Sequence, residues 1–211
     1  MIGEAHVVPD YWRRAQRALA RRDPVMAGLI RAHPRIGLRS RGDPFQTLAR
    51  SIVGQQISVQ AADSVWTRFV GALPALTPEA VHACAPERLR TCGLSARKAE
   101  YLRDLARHFV RGTIHAHRWP AMDDEAVIAE LVRVRGIGRW TAEMFLIFNL
   151  LRPDVLPVDD LGLRRAASLH YRGGRALTPR TLRRLGEGWA PWRSVATWYL
   201  WRSLDPVPVE Y

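Results

Sequence analysis

The chain is 211 residues long and 47% hydrophobic, with 32 Lys and Arg against 20 Asp and Glu, a formal net charge of +12. That is enough apolar material for one domain or two small ones, and the charge points to a polyanionic partner, nucleic acid first, although an arginine-rich genome composition would produce the same excess. No apolar span of about 18 residues and no export signal between Met1 and Asp10 is present, so no membrane contact and a cytoplasmic location are expected; Cys84 and Cys92 are too few for a four-thiolate zinc or iron–sulfur site.

Helix signals recur from end to end, and period-two strand patterns are nearly absent, so the fold expected is all-α. Asp10 opens a helix with Trp12, Ala15 and Leu19 inward, and Asp23-Pro24 opens another with Met26, Leu29 and Ile30. Asp43-Pro44 starts a third with Phe45, Leu48 and Ile52, since proline suits the first helical turn. Gly54 ends it, and after Gln55-Gln56-Ile57 a helix capped by Ser58 is expected to bury Val59, Ala62, Val65, Trp66 and Phe69. Further helices follow Thr77-Pro78, Pro86 and Ser95, the last with Ala99, Leu102, Leu105 and Phe109 on one face and Gly112 past its end. Then come a helix from Asp124 to Arg133, a tight Gly-Ile-Gly turn, and a helix from Arg139 to Leu151. Pro153 and Pro157 bracket an extended stretch leading to Asp159-Asp160, two helices follow Asp160 and Pro179, and a last one runs from Pro191 to Ser203.

The turn Gly136-Ile137-Gly138 is the most informative segment. Two glycines permit a sharp turn with positive φ and close approach of another backbone, and the free N–H groups opening the next helix form a site for an anion. Ile137 pins the turn to the core. The segment Leu131-Val-Arg-Val-Arg-Gly-Ile-Gly-Arg-Trp-Thr-Ala142 resembles the helix-hairpin-helix element of the DNA glycosylase superfamily named for its Gly/Pro-rich loop and following Asp. One position departs from the family's Leu-Pro-Gly-Val/Ile-Gly pattern: Arg135 stands where proline is usual. The resemblance implies that Gly136, Gly138 and Thr141, with Arg139 beside them, bind DNA phosphate. It also implies that carbonyls of Val132, Val134 and Ile137 hold a monovalent cation, Na+ or K+, and that no organic cofactor is required. Such backbone contacts set register without reading sequence.

Downstream, Leu156-Pro-Val-Asp-Asp-Leu-Gly-Leu-Arg-Arg165 is similar to the family's loop-and-aspartate element. Aligning Leu163 and Arg165 with that pattern selects Asp160 as the catalytic carboxylate and leaves Asp159 as cap or helper. Tandem Asp before a helix is also an ordinary capping arrangement. A branch of the family attacks C1′ with a lysine in the hairpin pattern Gly-x-Lys-Thr-Ala; that position is Trp140 here. The only lysine, Lys98, lies well before the hairpin, so a monofunctional glycosylase without lyase chemistry is implied.

Trp140, in Gly-Ile-Gly-Arg-Trp-Thr-Ala, and the tail Trp189-Ala-Pro-Trp-Arg-Ser-Val-Ala-Thr-Trp-Tyr-Leu-Trp201 resemble the 3-methyladenine DNA glycosylase II (AlkA-type) group, without that group's extra N-terminal domain. Indole faces attract cations, so Trp140 and Trp201 are expected to stack on a flipped alkylbase, joined by Trp198 and Tyr199; Trp12, Trp66, Trp189 and Trp192 are expected in the core. A base must leave the stack before it can be cut, and the resemblance places the intercalating wedge on Gln56, beside Ile57. Two helical lobes are expected, 52–155 with wedge and hairpin and 1–51 plus 156–211 built from both termini, with the active-site cleft between them. The implied activity is hydrolysis of the N-glycosidic bond of alkylated bases such as 3-methyladenine and 7-methylguanine in double-stranded DNA, by a monomer. Two other classes compete: a helix-hairpin-helix module that binds DNA without chemistry, and a glycosylase for an oxidised or mismatched base.

Overall fold

A computed structural model describes residues 8–34, 37–38, 40 and 42–204. Among the described residues there are α-helices and one 3-10 turn, and no strand. The residues form two compact units: those up to Ser40 together with those from Leu146 onward, and those in between, ending at Phe145.

The central unit contains α3 (Pro44–Gly54), α4 (Val59–Gly71), α5 (Pro78–Ala83), α6 (Pro86–Thr91), α7 (Ala96–Val110), the 3-10 turn Ala116–Ala121 and α8 (Asp124–Leu131); α9 (Arg139–Phe148) begins in it. Helix starts follow side-chain capping. Asp43, Ser58, Thr77, Ser95 and Asp123 each accept an N–H from the first turn of the helix they precede, satisfying donors that have no intrahelical partner. Helix α7 is the hub, packed by α3, α5 and α6. A run of edge-to-face rings, Phe45 on Phe109, Phe109 on Trp119 and Trp119 on Phe145, joins α3 to α9 with centroid separations of 5.3, 6.4 and 5.1 Å; such pairs add about 0.5–1.5 kcal/mol each beyond area burial.

The other unit contains α1 (Trp12–Arg22), α2 (Pro24–Ala32), α10 (Leu161–Arg172), α11 (Pro179–Glu187) and α12 (Arg193–Leu204). Helix α12 is buried at every position from Ser194 to Leu200 and touches α1, α2 and α10, so neighbours surround it on several sides. Asp23 ties the unit together: Oδ1 accepts from the Val25 and Met26 N–H groups, and Oδ2 from the Tyr171 hydroxyl and the Trp189 indole. Burial and the Asp23 carboxylate push the Tyr171 phenol far above its usual range.

Several expectations are corrected. The residue before α1 is Tyr11, with no side-chain cap, so Asp10 does not open that helix. Val59 is 54% exposed, because the first turn of α4 projects beyond its neighbours. Helix α9 stops at Phe148, where Leu151 adopts φ 52° and the Arg152 N–H turns back to Leu146 O at 2.9 Å. The last helix begins at Arg193, after a turn closed by Trp192 N–H to Trp189 O at 2.8 Å. The division between units also departs from the expected 52 and 155. Helix α3 packs on α4 and α7 and so stays whole within the central unit. Residues 153–155 belong with α12: Ser194 N–H donates to Pro153 O at 3.1 Å, and Ser194 Oγ accepts from Val155 N–H at 2.9 Å.

Candidate active site and DNA-contact elements

In the central unit the hairpin is a series of tight turns: Val134 N–H to Leu131 O and Ile137 N–H to Val134 O, both 3.1 Å. Gly136 has φ +86°, and a Cβ there would lie 2.2 Å from Tyr101 Cδ2, so glycine is required by both backbone and packing. Ile137 and Val134 are buried and Gly138 is exposed. The N–H groups of Gly136 and Gly138 find no acceptor among the described residues, and those of the first turn of α9 have no intrahelical partner. This is the geometry of an anion site at a helix N-terminus. The Thr141 side chain is buried, which leaves its backbone as the group able to serve an anion.

Arg139, expected beside the phosphate-binding amides, lies in an ion-pair network. Its guanidinium pairs with Glu125 through both terminal nitrogens and with Glu143 through Nε at 3.1 Å, bracing α8 against α9. The hydrogen bond from Arg139 holds the Glu125 carboxyl below its usual range. The departure at Arg135 also has a structural reason. Its backbone N–H, which proline would lack, donates to Asp104 Oδ2 at 2.9 Å. The cation expected at the hairpin would meet only neutral carbonyls of Val132, Val134 and Ile137. Val132 caps the C-terminus of α8, where carbonyls lack intrahelical partners, and a neutral oxygen set suits a hard cation of low charge.

The loop expected to carry the wedge follows α3. Gln56 adopts φ 60°, a left-handed conformation costing a non-glycine residue on the order of 1–3 kcal/mol; Gln56 and Ile57 are exposed, beside the unexpectedly exposed Val59. Lys98 Nζ donates to Val53 O and Gln55 O, both at 2.7 Å, and Gln55 Nε2 donates to Gly136 O at 2.8 Å. The lysine is therefore occupied as a cap on the α3 C-terminus, where a cation is favoured, while burial lowers its pKa. Trp140, the second residue of α9, is 40% exposed.

In the unit of both termini, Asp160 is the N-cap of α10, and its Oδ1 accepts from Leu163 N–H at 2.6 Å and from the Trp201 indole N–H at 2.8 Å. This corrects the assignment of the two acids: Asp160 is itself the cap, and Asp159 is exposed in the preceding turn. Trp201 stacks on Phe148, 5.8 Å between centroids and 15° between planes. A Cβ at Gly162 would stand 3.2 Å from Asp160 Oδ1 and 3.4 Å from Trp201 Cδ1, so glycine leaves room for the acid and the indole to meet. Trp198, expected to join the pocket, is packed among core side chains. It is 7% exposed, edge-on to Trp12 and Tyr199, with Arg202 over its ring; Tyr199 is fully buried.

Sequence reasoning missed what steers the loop before Asp160. Arg193 binds Asp154 through Nε and one terminal nitrogen, both 2.7 Å, and Ser194 holds the neighbouring backbone. The Trp-Arg-Ser run in the tail carried that signal, but its partner on the loop was legible only in three dimensions. Phe148, the platform under Trp201, had no signal beyond being apolar.

The chain is similar to proteins already known. Residues 49–191 match the family model described as HhH-GPD superfamily base excision DNA repair protein. The chain is 36% identical over 167 residues to DNA-3-methyladenine glycosylase 1 of Schizosaccharomyces pombe, covering 76% of this chain and 72% of that protein. It is similar in structure to a DNA-3-methyladenine glycosidase of Bacillus halodurans, with a TM-score of 0.86 and 33% identity, covering 96% of this chain and 93% of the other. The S. pombe 3-methyladenine DNA glycosylase in complex with abasic DNA matches at a TM-score of 0.79 and 31% identity, covering 94% and 98% of the two chains. With its hairpin, following aspartate and all-helical scaffold, the chain belongs to the HhH-GPD superfamily of base excision DNA repair proteins.

Proposed function

We propose that this protein is a monofunctional alkylbase DNA glycosylase that hydrolyses the N-glycosidic bond of bases such as 3-methyladenine and 7-methylguanine in duplex DNA. The observation that carries the reading is the Asp160 carboxylate, one oxygen of which is held by both Leu163 N–H and Trp201 Nε1. An alkylated base is already cationic, so the C1′–N bond breaks with the electron pair passing to the base, and the demand on the protein is to stabilise positive charge left on the sugar. A carboxylate oriented by two donors before charge develops meets that demand. It also aligns the water whose oxygen bonds to C1′ and takes up the proton that water gives up, leaving an abasic site and a neutral free base.

Trp140, exposed at the start of α9, and Trp201, beside Asp160, are each a candidate stacking face for a cationic base, at about 0.5–2 kcal/mol each. The Gly136 and Gly138 amides and the first turn of α9 take the phosphate backbone, with a monovalent cation on the Val132, Val134 and Ile137 carbonyls to neutralise it. Gln56 and Ile57 fill the gap in the stack. Lys98, donating to two carbonyls, is not a Schiff-base nucleophile. The enzyme works as a monomer in the cytoplasm, associated with the nucleoid through DNA. No helix among the described residues is long and apolar enough to cross a membrane.

The test is base-release chromatography from a panel of duplexes each carrying one defined lesion. Release of cationic alkylbases without strand cleavage is expected. Release confined to neutral oxidised bases would defeat the cation-stacking account, and binding without release would leave only a DNA-binding module.

A further inference from the structure

Helix α7 carries Lys98, Tyr101 and Asp104 at three-residue spacing, which places them along one side of the helix. Each grips a different part of the two loops assigned to DNA. Lys98 holds the backbone of the wedge loop through Val53 O and Gln55 O. The Tyr101 ring lies against Gly136, in the space a Cβ would need. Asp104, whose side chain is 1% exposed, accepts the Arg135 N–H immediately before that glycine. The loops are also joined directly, by Gln55 Nε2 to Gly136 O.

Packing alone does not hold the wedge. An open depression of about 300 Å³ adjoins it, bordered by Gln55, Gln56, Ile57 and Lys98, while Gln56 keeps its left-handed backbone. A strained residue next to open space persists only when other contacts over-determine it. Here those contacts are polar and come from Lys98, on α7, and from the hairpin.

We infer that Lys98, Tyr101 and Asp104 are positioning residues that lock the wedge loop and the phosphate-binding hairpin into one register, so that gripping the backbone and inserting Gln56 occur as one event. The inference rests on the glycosylase reading above. It assigns the lone lysine a role in duplex opening and none in bond cleavage. It also explains the loss of proline at 135: the Arg135 N–H ties the hairpin to α7, where proline would supply only local stiffness.

The test compares release of methylated bases from duplex and from single-stranded DNA, since a single strand needs no wedge. Lys98→Met keeps the aliphatic stem and removes both charged hydrogen bonds. It is expected to lower kcat/KM on duplex by about tenfold or more, chiefly through KM, with single-strand release unchanged. Lys98→Arg, which retains donors, should recover most of the loss, and Gln55→Ala, which cuts the tie to Gly136, should show the same duplex-selective defect. Equal losses on both substrates would mean a general fold defect and overturn the inference, as would full duplex activity in Lys98→Met and Gln55→Ala. Absence of release from either substrate by the wild-type protein would instead sink the glycosylase reading, and this inference with it.

Discussion

Asp160→Asn separates the two tasks carried by one side chain. Asp160 Oδ1 accepts from Leu163 N–H and Trp201 Nε1, and an asparagine amide oxygen can accept both bonds. Asn and Asp rank alike as N-caps, and what the helix loses is the carboxylate's interaction with its positive end, about 0.3–1 kcal/mol. For a chain of this size that is a fall in Tm below about 4 °C. The chemical loss is much larger, because the amide puts no negative charge beneath the developing sugar cation. Removing one preorganised electrostatic group from an active site costs about 100- to 1,000-fold in kcat, near 3–4 kcal/mol. Asp160→Ala would confuse the two, since it also abolishes the cap at about 0.5–2 kcal/mol. The assay is chromatographic base release from methylated duplex under single-turnover conditions, paired with a thermal melt. A loss in Asp160→Asn smaller than about tenfold, 1.4 kcal/mol, with the fold intact would refute Asp160 as the charge-stabilising group.

Gly136→Ala faces both a positive φ and the Tyr101 ring at 2.2 Å; strain and overpacking together should cost about 2–6 kcal/mol, read as a large drop in Tm and weakened binding to abasic duplex, and a variant with unchanged melting would show that the hairpin yields more easily than its geometry implies. The Glu125 carboxyl, held below its usual range by the hydrogen bond from Arg139, contributes stability that is fully present above the ordinary glutamate pKa and is lost as pH falls through its depressed value in the fold. Glu125→Gln should therefore melt below wild type at neutral pH and converge with it in strong acid, as followed by circular dichroism; a gap that persists in acid would remove the ion pair as its cause.

Much of the architecture was legible in the sequence because it is set within a turn or two of the chain. Asp43-Pro44, Ser58, Thr77-Pro78 and Ser95 announce helix starts, since a cap needs a partner only three residues away. Gly136 announces the sharp turn, and the segments around it and Asp160 announce DNA phosphate and a carboxylate. Which acid would cap α10 was not legible, because Asp159 and Asp160 differ only in the direction their side chains take. That direction follows from Trp201, 41 residues away, which donates to Asp160. Tertiary structure also decided that Arg139 braces two helices, that Trp198 is core while Trp201 reaches the acid, and that Lys98 anchors the loop after α3. Residue type and spacing determine what a side chain can offer; the partner that accepts the offer is delivered by packing between segments far apart in the chain, and no local pattern carries that information.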